Sequence, residues 1–368
     1  MSKIIIHPHW CQIQDESDTD FLWALDRELS YKIQGAEHTS AYKRHVWDGW
    51  KKLLKDNLTF PTGLLQRVEE FYKKESKQFF TIDYRGPKSE GNTIDILPKL
   101  KEINKEPYPY QLEIIDIIRK YDCGIIRSAT GSGKTIIAAL IVAKLGRKSL
   151  IYVIGKDLLY QVYELFSKIF VGLKIGIIGD GKCEIGDINI ASVWTIGQSL
   201  GLKNTADRDD EDNIEQDKYN DIRELLKVAK VHVFDECHIC GAPTLQEIAQ
   251  SINPEFVYGM SASPWRDDGA DLLIESILGK KIIDIPASTL IEKGYLVKPI
   301  IKFWKVPKYP EKLEKNYKTI YKHYVVENTV RNDLVKVGTK KLVDLGHPTL
   351  VLYHSINHGK ILYDLIFF

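Results

Sequence analysis

The apolar positions change rhythm along the chain. Up to about residue 95, strand-sized runs at Ile4–Ile6 and Phe79–Ile82 are mixed with helix-period patterns over Phe21–Leu29 and Thr62–Tyr72. A turn-rich stretch, Arg85–Asn92, follows, and its Gly86, Pro87 and Gly91 mark a domain edge or an exposed hairpin tip. From Tyr108 to about Pro299, continuous apolar runs at Gly124–Arg127, Ser149–Gly155, Ile188–Val193, Val231–Phe234 and Val257–Ser261 are interleaved with amphipathic stretches such as Thr135–Leu145 and Asp157–Phe170. Runs too apolar for a half-exposed sheet, separated by helices, predict a parallel sheet covered on both faces. The closing stretch from His347 to Phe368 reads as a strand, a loop and the start of a helix.

The pattern therefore predicts three parts. A small α+β unit spans residues 1–95, an α/β unit of P-loop type spans 96–297, and a second α/β unit begins at 298–368. Composition agrees, since 368 residues with 44% hydrophobic and 27% charged side chains describe an ordinary globular protein of two or three domains. Lys plus Arg (51) nearly balances Asp plus Glu (50), so bulk positive charge cannot hold a polyanion, and any such site must be local.

Five scattered cysteines and a start, MSKIIIHPHW, with too short an apolar run for a signal peptide predict a reducing, cytoplasmic setting. No apolar run approaches the roughly 18 to 20 residues that span a bilayer, so no membrane role is expected. Residues 202–219 carry seven acids against three bases and read as a solvated acidic insertion. The segment Lys298–Lys341 holds twelve Lys or Arg and four Asp or Glu. Its Lys302, Lys305, Lys308, Lys312 and Lys315 read as a wet surface or as part of a phosphate track.

Candidate chemistry centres on Ser128-Ala129-Thr130-Gly131-Ser132-Gly133-Lys134-Thr135, set between a strand and a helix. Gly131 and Gly133 let backbone N–H groups approach phosphate oxygens, and the helix start adds a positive dipole end. Thr130 and Ser132 complete the cradle, Lys134 reaches the β- and γ-phosphates, and the Thr135 hydroxyl is a Mg²⁺ ligand. Ser128 stands where the strict phosphate-loop pattern has glycine.

About 100 residues later the apolar strand Val231–Phe234 ends in Asp235-Glu236-Cys237-His238. Carboxylates at the carboxyl end of a parallel strand sit where open α/β sheets bind ligands. Asp235 can hold Mg²⁺ and Glu236 can polarise an attacking water. Cys237 and Cys240 spell C-x-x-C, and His7, His9 and Cys11 cluster near the start, but no second matched pair completes a tetrahedral zinc site, and the plainer reading is packed thiols and strand polar residues.

SATGSGKT, DECH and Ser261-Ala262-Ser263 together resemble motifs I, II and III of the superfamily 2 helicases, whose motor is a pair of RecA-like domains with ATP between them. Tyr110 and Gln111 in Tyr108–Gln111 look like the Q motif that reads adenine. Lys156–Val162, with Gln161, and Ala191–Ile196, with Thr195, look like motifs Ia and Ib, which touch the nucleic-acid backbone. Met260–Gly269 and Leu290–Pro299 are similar to the XPB-like branch, and Tyr42–Phe71, with Trp47-Asp48-Gly49, resembles the N-terminal DNA-binding domain of UvsW-type phage helicases, as His354–Lys360 resembles their motif IV.

The resemblance implies an ATP- and Mg²⁺-dependent DNA helicase or translocase acting on branched or forked duplex, with RNA–DNA hybrid as a further substrate, in replication, recombination and repair, and a viral protein in host cytoplasm. It implies that Lys134, Asp235 and Glu236 are catalytic and that His238, Ser261, Ser263 and Arg266 couple hydrolysis to movement. The sequence ends at Phe368, before the family's motifs V and VI. The chain as given is therefore expected to bind ATP and DNA but hydrolyse ATP poorly unless a second polypeptide supplies the remaining motor half.

Around the W-D-G element, Lys43, Arg44, Lys51, Lys52 and Lys55 surround Trp47 and Trp50. Basic residues interleaved with aromatics suit phosphate contacts beside a stacking ring, and a solvated helix with core tryptophans is the competing reading. Two rival functions stand against the motor. One is a GTPase switch, for which no guanine-reading N/T-K-x-D sequence appears; the other is a non-motor DNA-binding fragment.

Overall fold

The computed structural model describes residues 1–202, 216–265, 269–306 and 316–367. The core of the acidic insertion, Arg266, and Lys308, Lys312 and Lys315 lie outside the described residues. Of the stretch predicted as insertion, the end belongs to the helix Gln216–Val228, where Tyr219 packs on the core. The chain divides into two compact units, Met1–Val297 and Lys298–Phe368.

The first unit opens on six short strands: β1 (Ser2–Ile6), β2 (Trp10–Gln14), β3 (Ser30–Lys32), β4 (Trp50–Lys52), β5 (Thr59–Pro61) and β6 (Phe79–Asp83). Alternation sets the buried face, with Ile4, Ile6, Cys11 and Ile13 pointing inward along β1 and β2. Their sheet runs β5-β2-β1-β6, while β3 and β4 form a separate two-stranded ribbon. The helix Thr19–Glu28 starts where the Asp18 carboxylate accepts from the backbone N–H groups of Asp20 and Phe21. It and the helix Leu65–Lys74 bury Phe21, Leu25, Val68, Phe71 and Tyr72 against the sheet.

Eight further strands build the large sheet: β7 (Cys123–Ser128), β8 (Ser149–Val153), β9 (Ile175–Gly179), β10 (Lys182–Glu184), β11 (Ile188–Ser192), β12 (Val231–Asp235), β13 (Phe256–Ser261) and β14 (Lys281–Ile285). Their order is β10-β9-β11-β8-β12-β13-β7-β14, and every pairing is parallel except β10 with β9. Apolar cores lie on both faces, which is why β8, β9 and β11 are buried at every position. Cys237 and Cys240 are buried in one of these cores, and all five thiols are free. Among the described residues no group of three or more His, Cys, Asp or Glu could hold a metal ion, and no helix is long and apolar enough to cross a membrane.

The small sheet and the large sheet meet on the helix Asp271–Leu278. Leu272 from that helix joins the small sheet's core. Gly63 lies so close that a Cβ there would stand 2.4 Å from the Glu275 carbonyl oxygen. Arg67 grips the Glu275 carboxylate with two hydrogen bonds, at 2.9 and 2.6 Å, and pairs with Glu28 at 2.6 Å. Lys280 pairs with Glu70 beside it.

The second unit is helical among its described residues, with Thr329–Asp344 and Ile356–Phe367 as its main helices. The run expected as a strand near Leu350 forms no ladder, and Leu350 and Leu352 are 82% and 84% exposed. A strand is defined by its neighbours, and no other strand among the described residues of this unit offers it backbone partners.

Candidate nucleotide and nucleic-acid site

The parallel order fixes where the chemistry gathers. β13 lies between β7 and β12, with Asp235 opposite Met260 and Ser261 opposite Arg127. The loop leaving β7 and the acids ending β12 therefore open onto the same carboxyl rim, one strand apart. In the loop, Gly131 and Gly133 hold φ of +81° and +76°, which side chains resist. Lys134 begins the helix Lys134–Leu145, with Thr135 in its first turn. The Ser128 hydroxyl bonds that of Ser132 at 2.6 Å, so the residue replacing the usual glycine ties the base of the loop to its tip.

Lys134 Nζ stands 3.2 Å from Glu236 Oε1. Glu236 takes φ +50°, turning its side chain into the rim at the start of the short helix Cys237–Gly241. Its other oxygen accepts from Ser261 Oγ at 3.2 Å and lies 3.4 Å from His238 Nδ1, which is itself 3.3 Å from Ser261 Oγ. Ser261 Oγ in turn accepts from the Ser263 N–H at 3.2 Å. A continuous polar chain thus runs from the phosphate loop through the acid box to Ser261 at the end of β13 and Ser263 beyond it.

Burial, and then the neighbouring Glu236 carboxylate, push the Asp235 carboxyl above its ordinary range. Two adjacent carboxyls, with Lys134 as the nearby cation, make a surrounding that suits a divalent cation. Asp235 and Thr135 fit such an ion in donor type, and would hold it with the phosphates.

On the nucleobase side the expectation shifts. Gln111 is buried, and both ends of its amide are engaged: Nε2 donates to the Ser132 carbonyl at 2.9 Å, and Oε1 accepts from the Tyr108 N–H at 2.9 Å. Tyr110 Oη also donates to the Ser132 carbonyl. Gln111 and Tyr110 here brace the phosphate loop, and a nucleobase would meet Gln111 only if this bracing opened. The open aromatic face belongs to Tyr108, 43% exposed, whose ring lies 4.5 Å from that of Tyr295. Leu296 covers the tip of the loop, 3.1 Å from where a Cβ on Gly131 would stand. Tyr295 and Leu296, 164 and 165 positions after Gly131, are partners that local spacing could not reveal.

Other expected contacts divide. Gln161 is exposed on the helix Lys156–Ile169, open to a strand. Thr195 is fully buried in the helix Val193–Ser199, with its hydroxyl against Gly179, and cannot meet a DNA backbone. Lys43, Arg44, Lys51 and Lys52 are at the surface. Trp47 is half-buried and donates its indole N–H to the Trp50 carbonyl at 2.8 Å, while Arg27 covers Trp50 at 4.3 Å, so neither ring stands free.

A parallel sheet with a phosphate loop, an acid box and a pair of linked serines on one rim is the arrangement of a RecA-like lobe. Residues 104–266 match the family described as "Type III restriction enzyme, res subunit". The chain is 29% identical over 219 residues to the DNA 3'-5' translocase XPB2 of Sulfurisphaera tokodaii, covering 57% of this chain and 44% of that protein. It is 23% identical over 357 residues to the ATP-dependent DNA helicase uvsW of Enterobacteria phage T4, covering 92% of this chain and 68% of that protein. A crystal structure of T4 UvsW shares the fold, with a TM-score of 0.55 at 19% identity over 99% of this chain and 72% of that one. Residues 104–266 thus form a helicase domain of the matched family, and the chain is similar over more of its length to both the XPB and the UvsW proteins. It spans 33% to 49% of the length of three of the curated relatives that it matches.

Proposed function

We propose that the chain couples ATP hydrolysis to movement along DNA, with branched or forked duplex as its substrate and host cytoplasm during viral infection as its setting. The observation that carries this reading is the unbroken contact path Lys134–Glu236–Ser261–Ser263. A group that handles the γ-phosphate and a segment able to report its loss share one hydrogen-bonded network.

In this reading Lys134 exchanges its contact with Glu236 for the β- and γ-phosphates of ATP. Glu236, released from the ammonium, accepts a proton from the attacking water. Mg²⁺, held by Thr135 and Asp235, would draw charge from the phosphates. His238 and Ser261 stay on Glu236 and carry its rearrangement to Ser263 and the helix beyond. Exposed Gln161 contacts the tracked backbone, and recognition follows phosphate positions rather than base edges.

The test is Lys134→Ala in the full chain. With the remaining motor half added as a second polypeptide where the chain alone turns ATP over poorly, ATP-dependent strand separation should fall at least 100-fold while DNA affinity stays within about threefold. Equal activity of variant and parent would overturn the motor reading, and so would preferential binding of GTP over ATP.

A further inference from the structure

A second opening, of about 780 Å³, lies in the seam between the small sheet and the motor lobe. Its lobe wall includes Asp122 and Cys123 at the start of β7, Glu255 just before β13, and Glu247 on the helix Pro243–Ser251. That is the amino rim of the motor sheet. The phosphate loop leaves the opposite rim, roughly 16 Å along β7 at about 3.3 Å per residue. The opening is therefore separate from the nucleotide site and from the carboxyl rim beside it.

The facing wall comes from the small domain and is cationic, with Lys51, Lys52, Lys55 and Arg85 along it. Lys52 pairs with Asp26, and Arg85 with Asp83 and, across the cleft at 3.9 Å, with Asp122. Lys51 and Lys55 are exposed and have no ion pair among the described residues. Across from them, Asp122 is paired with Lys88, and Glu255 with Arg147 and Lys230. Glu247 is the facing acid without an ion pair among the described residues. The two walls together leave a positive surplus on the small-domain side.

Trp10 stands at the same opening, 41% exposed. One side of its ring is braced by His7, with centroids 3.9 Å apart and planes 28° from parallel. His7 is in turn stacked with Tyr84 at 5.4 Å and 15°, and Tyr84 is 61% exposed. A preformed ring stack beside unpaired ammonium groups is what an unpaired strand requires: base faces on the rings and phosphates on the lysines. A duplex hides its base faces, and an acidic peptide would leave the rings unused.

We propose that this amino-rim cleft binds a second, unpaired DNA strand, apart from the strand tracked along the carboxyl rim. The inference rests on the motor reading above and gives a physical basis for a branched substrate, because a fork offers two strands at once. Trp10 stacks a base, and Lys51 and Lys55 hold its flanking phosphates.

The experiment uses the full chain and a forked DNA whose displaced tail carries 5-iodouracil, irradiated and mapped by mass spectrometry. Crosslinks are expected on the peptides holding Trp10 or Tyr84. Trp10→Ala should reduce the ratio of forked to linear single-strand affinity about tenfold, and Trp10→Phe should restore most of it. Lys51→Gln with Lys55→Gln should lower the slope of log affinity against log salt by about 1.4, two phosphates at about 0.7 each. Both lysines are exposed, so this pair tests the proposal even where a Trp10 variant fails to fold. If forked DNA binds tightly with crosslinks confined to the Lys156–Ile169 segment, and the lysine pair leaves the slope unchanged, the cleft is not a strand site and the motor reading survives. If the parent chain binds no DNA, both fall.

Discussion

Glu236 illustrates how a single residue can be committed by its backbone. A left-handed φ in a carboxylate-bearing residue is costly, and here it turns the side chain to meet Lys134, Ser261 and His238 at once. His232, four residues earlier, is committed by burial instead. Its Nδ1 accepts from Tyr152 Oη at 2.9 Å and its Nε2–H donates to the Ala229 carbonyl at 3.1 Å, which fixes the neutral ring. Burial lowers its pKa to about 4 from 6.5. The unfolded chain thus takes up a proton at this group before the folded one does, so its contribution is complete above about pH 6.5 and is lost as pH falls toward 4. The loss should reach about 3 kcal/mol, at about 1.4 kcal/mol per unit of pKa. Urea unfolding at pH 7 and pH 5 should record about 2 kcal/mol of it, and His232→Gln, which keeps a donor and an acceptor but cannot be protonated, should flatten that portion of the pH dependence. An unchanged slope would remove His232 from the account.

At the scale of elements, the phosphate loop and the acid box were legible because phosphate chemistry demands glycine, lysine and carboxylate at fixed offsets from strand ends. The strand order that brings them together was not, since nothing local places β13 between β7 and β12. Thr195 shows the same limit from the other side, as a motif's likeness carries residue type but not burial. The run around Leu350 had strand composition but no neighbour with which to pair. The clamp between Arg67 and Glu275 joins residues 208 positions apart, beyond any periodicity. Arg67→Ala would leave the Glu275 carboxylate largely buried without its partner, at a cost of about 2 kcal/mol. Gly63→Ala would force apart the same contact. Both should split one unfolding transition into two, with the small sheet melting first; a single transition of unaltered midpoint in both variants would show that the clamp is not what joins the layers.

For the whole molecule, the division after Val297 has a direct consequence. Residues 1–297 hold both sheets, the cores on both faces of the large sheet and the entire network from Lys134 to Ser263. Expressed alone, they should fold cooperatively and bind ATP within about threefold of the full chain, as titration calorimetry would record. A fragment that is unfolded, or that loses nucleotide binding, would place essential core in the second unit.

The seat of the small sheet on the helix Asp271–Leu278 has one more implication. That helix follows the Ser261–Ser263 turn, and Gly63, Arg67 and Leu272 leave no slack at the joint. The small domain is therefore a rigid outrigger rather than a tethered hook. Whatever DNA it grips would be hauled forward by the same increment as the lobe advances, without the lag that a flexible tether would introduce.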